Sequence, residues 1–452
     1  MSQLLTPKEK LAATDINVFT FLWLGSFISS IGDCLSNFAL DIWILQTTES
    51  INFYILGILF TTLPTFFLAP ITGALVDRWP RRWVMIISEI LSALCILAIA
   101  LLFITDSLKI WHIFFLTSLN STFSGFEILA FKSTVSLLVS PEDLARANGL
   151  NRVGDEIATL VAPILAGVLL TLVQIQGILL INCASFFLGL IPLLIVRIPE
   201  LKMTSPDFDG DSSSLMSEIT QGWTYLSNQT GLLSLIILRA IYSFISATGS
   251  ILFVPLILNL TATNILGIIL FIAGLGGVLG GIIMGTWVSL QERLAPLICG
   301  CMLGIGLEAI MSGLEPSLIL ITITAFLFVL TFTLADGSIQ ILLQKQVLPE
   351  LQGRVFSLSN AVMSVAGLAG IASASVVDPL LEPLMAFEGP WANGLGQIIG
   401  TGPGRGIGLM FIMLGVVAIL TAAVAYRHTP LMQFEQETTT IDNPNLSQPT
   451  KN

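Results

Sequence analysis

Charged residues make up only 10% of this 452-residue chain, and histidine occurs twice. Soluble domains carry roughly 25% charged residues, so a water-soluble fold of this size would lack the polar surface to stay dissolved. The two histidines, His112 and His428, sit at the ends of apolar stretches. An internal proton carrier working near neutral pH must therefore be a carboxyl group. Five cysteines (Cys34, Cys95, Cys183, Cys299 and Cys301) all fall within apolar runs, and the C-x-C at 299–301 has no His or Cys companions of the kind a zinc site needs. No G-x-x-x-x-G-K-[ST] phosphate loop occurs, so the chain has no ATP engine of its own. There is no basic surface stripe to hold nucleic acid. The net charge of −11 says little about partners, because many of the acids lie in the central loop and the two ends. A polar start and a first apolar run too long for a signal-peptide core argue against a cleaved leader. Neither a cofactor nor a metal site is expected, and no nucleophile and base stand paired at a common depth as an enzyme would require.

What the chain has is apolar length. Hydrophobic residues make up 54% of it and the mean hydropathy is +0.90. A spanning helix needs about 20 apolar residues, and stretches such as WVMIISEILSALCILAIALLFI and GLMFIMLGVVAILTAAVAY meet that. The expected fold class is an all-α polytopic membrane protein with twelve transmembrane helices. The spans read as 16–46, 53–76, 83–104, 110–138, 149–172 and 177–196, then 231–259, 265–289, 295–313, 317–345, 355–378 and 406–426. These give an N-terminal six-helix bundle (1–196), a linker (197–230) with a short amphipathic surface helix at SEITQGWTYL, a C-terminal six-helix bundle (231–426) and a polar tail (427–452). Lys and Arg in short loops crowd one side, with Arg78, Arg81, Arg82, Arg146, Arg197, Arg293 and Arg354 among them, whereas Lys109 and Arg405 stand opposite. By the positive-inside rule both termini and the linker are cytoplasmic, in a cell membrane.

The chain repeats itself. SFISSIGD (26–33) returns as SFISATGS (243–250), PEDLAR (141–146) as PELQGR (349–354), and GALVDRWPRR (73–82) in worn form as GTWVSLQER (285–293). Three landmarks in one order, six spans apart, indicate a duplicated six-helix unit. Parallel repeats of this kind are the architecture of the major facilitator superfamily, with substrate near the bilayer midplane.

Specific residues carry that family resemblance further. GALVDRWPRR resembles the superfamily's signature between helices two and three, G-x-L-x-D-R-x-G-R-R, with Pro80 in place of the second Gly. LVSPEDLARANGL, APILAG, the QGWTYL stretch and LPELQGRVFSL resemble the drug:proton antiporter branch that includes macrolide-efflux proteins and the enterobactin exporter. The fifth span is similar to the antiporter signature, with Ala162, Pro163 and Gly167 among its small-residue and proline positions, although alanine often replaces glycine. The resemblance implies a major facilitator fold and export of an amphiphilic, drug- or macrolide-like small molecule by proton antiport, with the lipid bilayer and protons as partners and a monomer as the working unit. A dedicated siderophore exporter and a lysolipid transporter remain alternatives. A non-transporting receptor or membrane enzyme is the reading from a different class.

Within that frame the ionisable residues are the site candidates. Asp33 lies mid-way along span one, where a charge costs about 2.5–3.5 kcal/mol on insertion scales and so faces a cavity or partner. It is a candidate to bind a coupling proton or the cation of a substrate; the alternative is a wetted residue near the outer mouth. Glu127 and Asp336, at nearly equivalent depth in spans four and ten, either relay protons or meet a cationic substrate. Otherwise Glu127 pairs with Lys132 and Asp336 serves helix-helix hydrogen bonding. Arg239, about nine residues into span seven, neutralises one of these acids, binds an anion or snorkels to the interface. Gly73, Asp77, Arg78, Arg81 and Arg82 form a charged turn expected to gate the cytoplasmic mouth. Arg152, Asp155 and Glu156 are expected to form an ion-pair latch. The run GLGGVLGGIIMG in span eight permits close helix approach. GTGPGRGIG (400–408) follows no strand and is not a dinucleotide loop. The 27 residues from Pro379 to Arg405, with Trp391, are expected to rest at the outer interface.

Overall fold

The computed structural model describes residues 16–140, 143–196, 224, 229–288, 294–314, 317–347 and 352–427, with backbone only at 69–71, 73, 74, 77, 78, 136, 137, 144, 145 and 352–354. The linker with SEITQGWTYL, the PE dipeptides at 141 and 349, and the tail beyond Arg427 lie outside these residues. Among the described residues every regular element is helical.

In the first half run α1 (Ile16–Thr48), α2 (Ile51–Arg78), α3 (Arg81–Ile104), α4 (Ile110–Leu138), α5 (Leu144–Leu172) and α6 (Gln174–Ile195). In the second run α7 (Thr230–Leu258), α8 (Thr263–Thr286), α9 (Ala295–Leu314), α10 (Leu318–Gln346), α11 (Gln352–Ser373), two single turns α12 (Glu382–Met385) and α13 (Gly396–Ile399), and α14 (Arg405–Arg427). Twelve stretches are long and apolar enough to cross a membrane. Helix α1, at 33 residues, is about 50 Å long at 1.5 Å per residue. The α2–α3 break falls at Trp79–Pro80, where Trp79 is extended (φ −103°, ψ 152°), as the residue before a proline prefers.

Two expectations need correction. The fifth span begins at Leu144 rather than 149. The eleventh does not stop at 378: a 3₁₀ turn (Ala374–Val376) and a π turn (Val377–Leu381) carry it on to Met385. Pro379 is thus inside a helical path, and the outer stretch is shorter than the sequence suggests. Its remainder is a built turn. Gly400, Gly402 and Gly404 adopt φ of +90°, +110° and +78°, a region open to glycine. They deliver Glu382 to the start of α14, where its carboxylate accepts from the Gly404 N–H (2.6 Å) and the Gly406 N–H (2.9 Å). Arg405 donates to the Ile399 carbonyl at 2.9 Å. The glycine run is a helix cap, which accounts for its composition.

The chain divides into two compact units, residues 1–206 with 263–268, and residues 207–262 with 269–452. In the first, α1 packs on α5 and α6, α3 on α4 and α6, and α2 on α4. Its interior holds Phe19, Met85 and Phe131 at one end and Ile44, Ile96, Ile99 and Phe186 at the other. In the second, α7 packs on α11 and α14, and α9 on α10 and α14. The order of partners therefore recurs: first with fifth and sixth, third with fourth and sixth.

Small residues set the closest crossings, as bilayer helices require when lipid tails compete for every apolar contact. On α9 and α14, Gly306 lies against the Gly415 carbonyl and Gly313 against the Gly408 carbonyl, with the reciprocal contacts also made. In the α8 run, Gly276 and Gly280 sit on the backbone of α10 at Phe326 and Leu330, while Gly281 and Gly285 face open space. The outward faces of α3 and α6 expose Leu94, Leu101, Ile104, Leu188, Leu194 and Ile195, an apolar surface suited to acyl chains rather than water.

Candidate functional site

Carboxyl groups inside the first unit gather around a cavity of about 380 Å³ between α1, α2, α4 and α5, with Asp33 and Glu127 on its wall. Asp33 lies at the middle of α1. Its Oδ1 accepts from the side-chain amides of Asn120 (3.4 Å) and Asn182 (3.3 Å), and its Oδ2 from the Ser124 hydroxyl (3.2 Å). All three donors are neutral, which holds a carboxyl group in place without committing it to an ion pair. Asn182 is fully buried on α6 and is oriented in turn by Ser36, to which it donates at 2.6 Å, and by Ser185, which donates to its Oδ1 at 3.1 Å. Gly32 lets this network approach α1, since a side chain there would collide with Asn182 and Ser185.

Glu127, on α4, accepts from the Ser26 hydroxyl at 3.4 Å. The alternative pairing with Lys132 is not formed; Lys132 is exposed and lines the same cavity. Glu127 instead meets the carboxyl of Glu89 on α3, within hydrogen-bonding reach. Trp23 and Phe27, stacked with ring centroids 5.1 Å apart, provide an aromatic stretch of the cavity wall beside Gly154.

In the second unit Arg239 does not snorkel. It is 6% exposed, its guanidinium lies 3.3 Å from Asp336 on α10, and it donates to the Ser359 hydroxyl on α11 at 3.0 Å. Arg239 thus neutralises Asp336 across three helices. A smaller cavity of about 150 Å³ nearby is almost wholly apolar, with Glu308 and Ser312 its polar edge; Glu308 accepts from Thr331 at 3.1 Å.

The cytoplasmic-gate candidates separate. Gly73, Asp77 and Arg78 fall on the last turns of α2, and their side chains lie outside the described ones. Arg81 and Arg82 act within the first unit. Arg81 donates to the Ser133 carbonyl on α4 (2.7 Å), and Arg82 to the Leu193 and Leu194 carbonyls on α6 (2.9 and 2.7 Å). The Leu193 and Leu194 carbonyls belong to the C-terminal turn of α6, which favours cations, so Arg82 staples that helix end, while Arg81 ties the start of α3 to α4. The expected latch is also different: Arg152, Asp155 and Glu156 are exposed on α5 and make no ion pair among the described residues. On the antiporter-like helix, Ala162 packs in the core with Leu35, Ala39 and Ala166. Pro163 stands inside α5, and Gly167 lies against the backbone of Thr263 and Asn264, which belong to the same compact unit.

Sequence reasoning missed Glu89, Asp41 and Glu308, and with them Asn120 and Asn182. The signal was present. Each is a polar or ionisable residue in an apolar run, which by default marks a cavity or partner. Glu89 stands inside WVMIISEILSALCILAIALLFI, where its carboxyl interrupts an otherwise apolar run.

Comparison with known proteins agrees with this architecture. The model of the Major Facilitator Superfamily matches residues 22–371. Macrolide efflux protein A of Streptococcus pyogenes is 26% identical over 355 residues, 77% of this chain and 86% of that protein. Macrolide efflux protein A of Enterococcus faecalis is 27% identical over 311 residues, 67% of this chain and 94% of that protein. Among solved structures, a bacterial homologue of the human lysosomal transporter Spinster, inward-facing and unoccupied, aligns with a TM-score of 0.67 at 14% identity, covering 94% of this chain and 97% of that one.

Proposed function

The chain belongs to the Major Facilitator Superfamily and is a transporter rather than an enzyme; from that premise we propose that it exports amphiphilic, macrolide-like molecules across the cell membrane in exchange for protons. The observation that carries the reading is Asp33, a mid-helix carboxyl on the wall of a 380 Å³ cavity, held by three neutral donors and in no ion pair among the described residues. A carboxyl so placed can take up and release a proton without first breaking an ion pair. Glu127 on the same wall supplies a second exchangeable group. The aromatic pair Trp23–Phe27 offers flat apolar surface to a large ring, and the macrolide-efflux relatives share the aligned region.

In this reading the protein is a carrier that opens its cavity first to one side of the membrane and then to the other, with both termini cytoplasmic. Each proton moving inward contributes about 2.3 kcal/mol per 100 mV of membrane potential, plus the pH difference. At that potential one proton supports an accumulation of about fifty-fold. Inside-out vesicles incubated with radiolabelled erythromycin test it. Accumulation that needs a proton gradient and collapses with an uncoupler supports the proposal; accumulation indifferent to the uncoupler removes proton exchange. A panel in which siderophores or lysolipids accumulate and macrolides do not would replace the substrate class.

A further inference from the structure

Glu89 is an ionisable side chain of the first unit that does not line the cavity. It is 1% exposed, on α3 behind the wall that Glu127 forms. Its carboxyl oxygens are buried, with the Ser29 hydroxyl beside them. The carboxyl also meets that of Glu127. Gly189 on α6 makes the space, since a methyl group there would collide with Oε1 of Glu89.

Two ionised carboxylates have four acceptor oxygens and no donor, so they cannot hydrogen-bond to each other. A hydrogen bond between Glu89 and Glu127 requires a proton on one of them. The surroundings decide which. The groups facing the pair are Ser26, Ser29 and Asp33 on α1 and the bare Gly189 on α6, and no ion pair reaches either carboxyl among the described residues. Each has a serine hydroxyl beside it, Ser26 for Glu127 and Ser29 for Glu89, but of the two only Glu127 lies on the cavity wall. Negative charge rests where donors and water are, and an uncompensated charge on Glu89 is the costlier arrangement. Nor is the pair a metal site: among the described residues no three His, Cys, Asp or Glu side chains are placed to hold an ion.

We propose that Glu89 is a permanently neutral acid whose O–H donates to the Glu127 carboxylate, and that this bond makes Glu127, besides Asp33, a second place where an exchanged proton is loaded and released. The inference rests on the proton-exchange reading above and adds a residue to it. Glu89 keeps its proton throughout the cycle. The exchanged proton leaves Glu127 as one O–H bond breaks there and one forms on cavity water, and the pair alternates between neutral and a single negative charge. Glu89 is a positioning residue, acting through Glu127.

Glu89→Gln replaces the O–H donor by an amide N–H, whereas Glu89→Leu removes it. A hydrogen bond to a charged group is worth about 1.5–3 kcal/mol, roughly ten-fold or more in proton-driven erythromycin accumulation for Glu89→Leu. Glu89→Gln is expected to stay within about two-fold of the unaltered protein, and Glu127→Gln to lose uphill accumulation. A second measurement needs no substrate. The purified protein at neutral pH should show a deuterium-sensitive carboxylic-acid band in the infrared that Glu89→Gln removes and Glu127→Gln leaves. Absence of that band, or loss of accumulation in Glu89→Gln as complete as in Glu127→Gln, overturns the proposal. Should Glu89→Leu fail to fold, the band and Glu89→Gln still decide. If transport by the unaltered protein ignores the uncoupler, the proton-exchange reading fails on its own, and the infrared band still tests whether Glu89 is a neutral donor.

Discussion

Arg239 and Asp336 meet at 3.3 Å across α7 and α10, and Ser359 on α11 takes a second guanidinium N–H at 3.0 Å. One cation therefore ties three helices of the second unit, while Asp33 and Glu127 on the first unit's cavity wall make no ion pair among the described residues. Removing Arg239 would strand a carboxylate against apolar neighbours. Because the Asp336 side chain is 36% exposed, water offsets part of that loss. Arg239→Ala is expected to destabilise by about 1–2 kcal/mol, and Asp336→Asn by less, since asparagine keeps an acceptor. Thermal unfolding in detergent checks both, and equal losses would contradict the role given to the pair.

Asp33→Asn separates folding from coupling. Its oxygen can still accept from Asn120 and Asn182, and its amide can donate to the Ser124 hydroxyl, so stability should change by less than about 1 kcal/mol. The proton that Asp33 would exchange is gone. Uphill accumulation should fall from about fifty-fold per 100 mV towards unity, while exchange of labelled for unlabelled substrate persists. Counterflow lost along with accumulation would instead make Asp33 a substrate ligand.

Glu382 caps α14 with two backbone bonds of 2.6 and 2.9 Å. Glu382→Ala leaves the Gly404 and Gly406 N–H groups without that acceptor, at an expected cost of about 1–2 kcal/mol. Gly402→Ala places a side chain at φ +110° and against Phe387, costing on the order of 1–3 kcal/mol. Both should lower the midpoint of thermal unfolding with the proton dependence of transport unchanged.

Arg82 staples the end of α6 through Leu193 and Leu194. Arg82→Ala should lower stability by about 1–3 kcal/mol, and Arg82→Lys should restore only part, because one ammonium cannot reproduce the two-pronged contact. A gating role alone would predict altered transport rate at unchanged stability, so the two readouts taken together discriminate.

Hydropathy and length determined the number of spans and placed most helix ends within a few residues, because the bilayer imposes one length and one solvent on every crossing. The repeated landmarks announced the doubling, and the order of helix partners in the two units follows it. Asp33 and Glu127 were legible too, since a carboxyl at the centre of an apolar run is costly wherever it occurs. Which atoms surround those carboxyls was not legible. Asn182 reaches Asp33 from 149 positions away, and Glu89 meets Glu127 from a neighbouring helix. The partner of Arg239 was one of several acids until α7, α10 and α11 came together. Side-chain depth along a helix is a one-dimensional property that sequence carries; the direction a helix turns its polar face depends on which small residues let its neighbours close in. Gly32 and Gly189 make that room, and only packing shows what fills it.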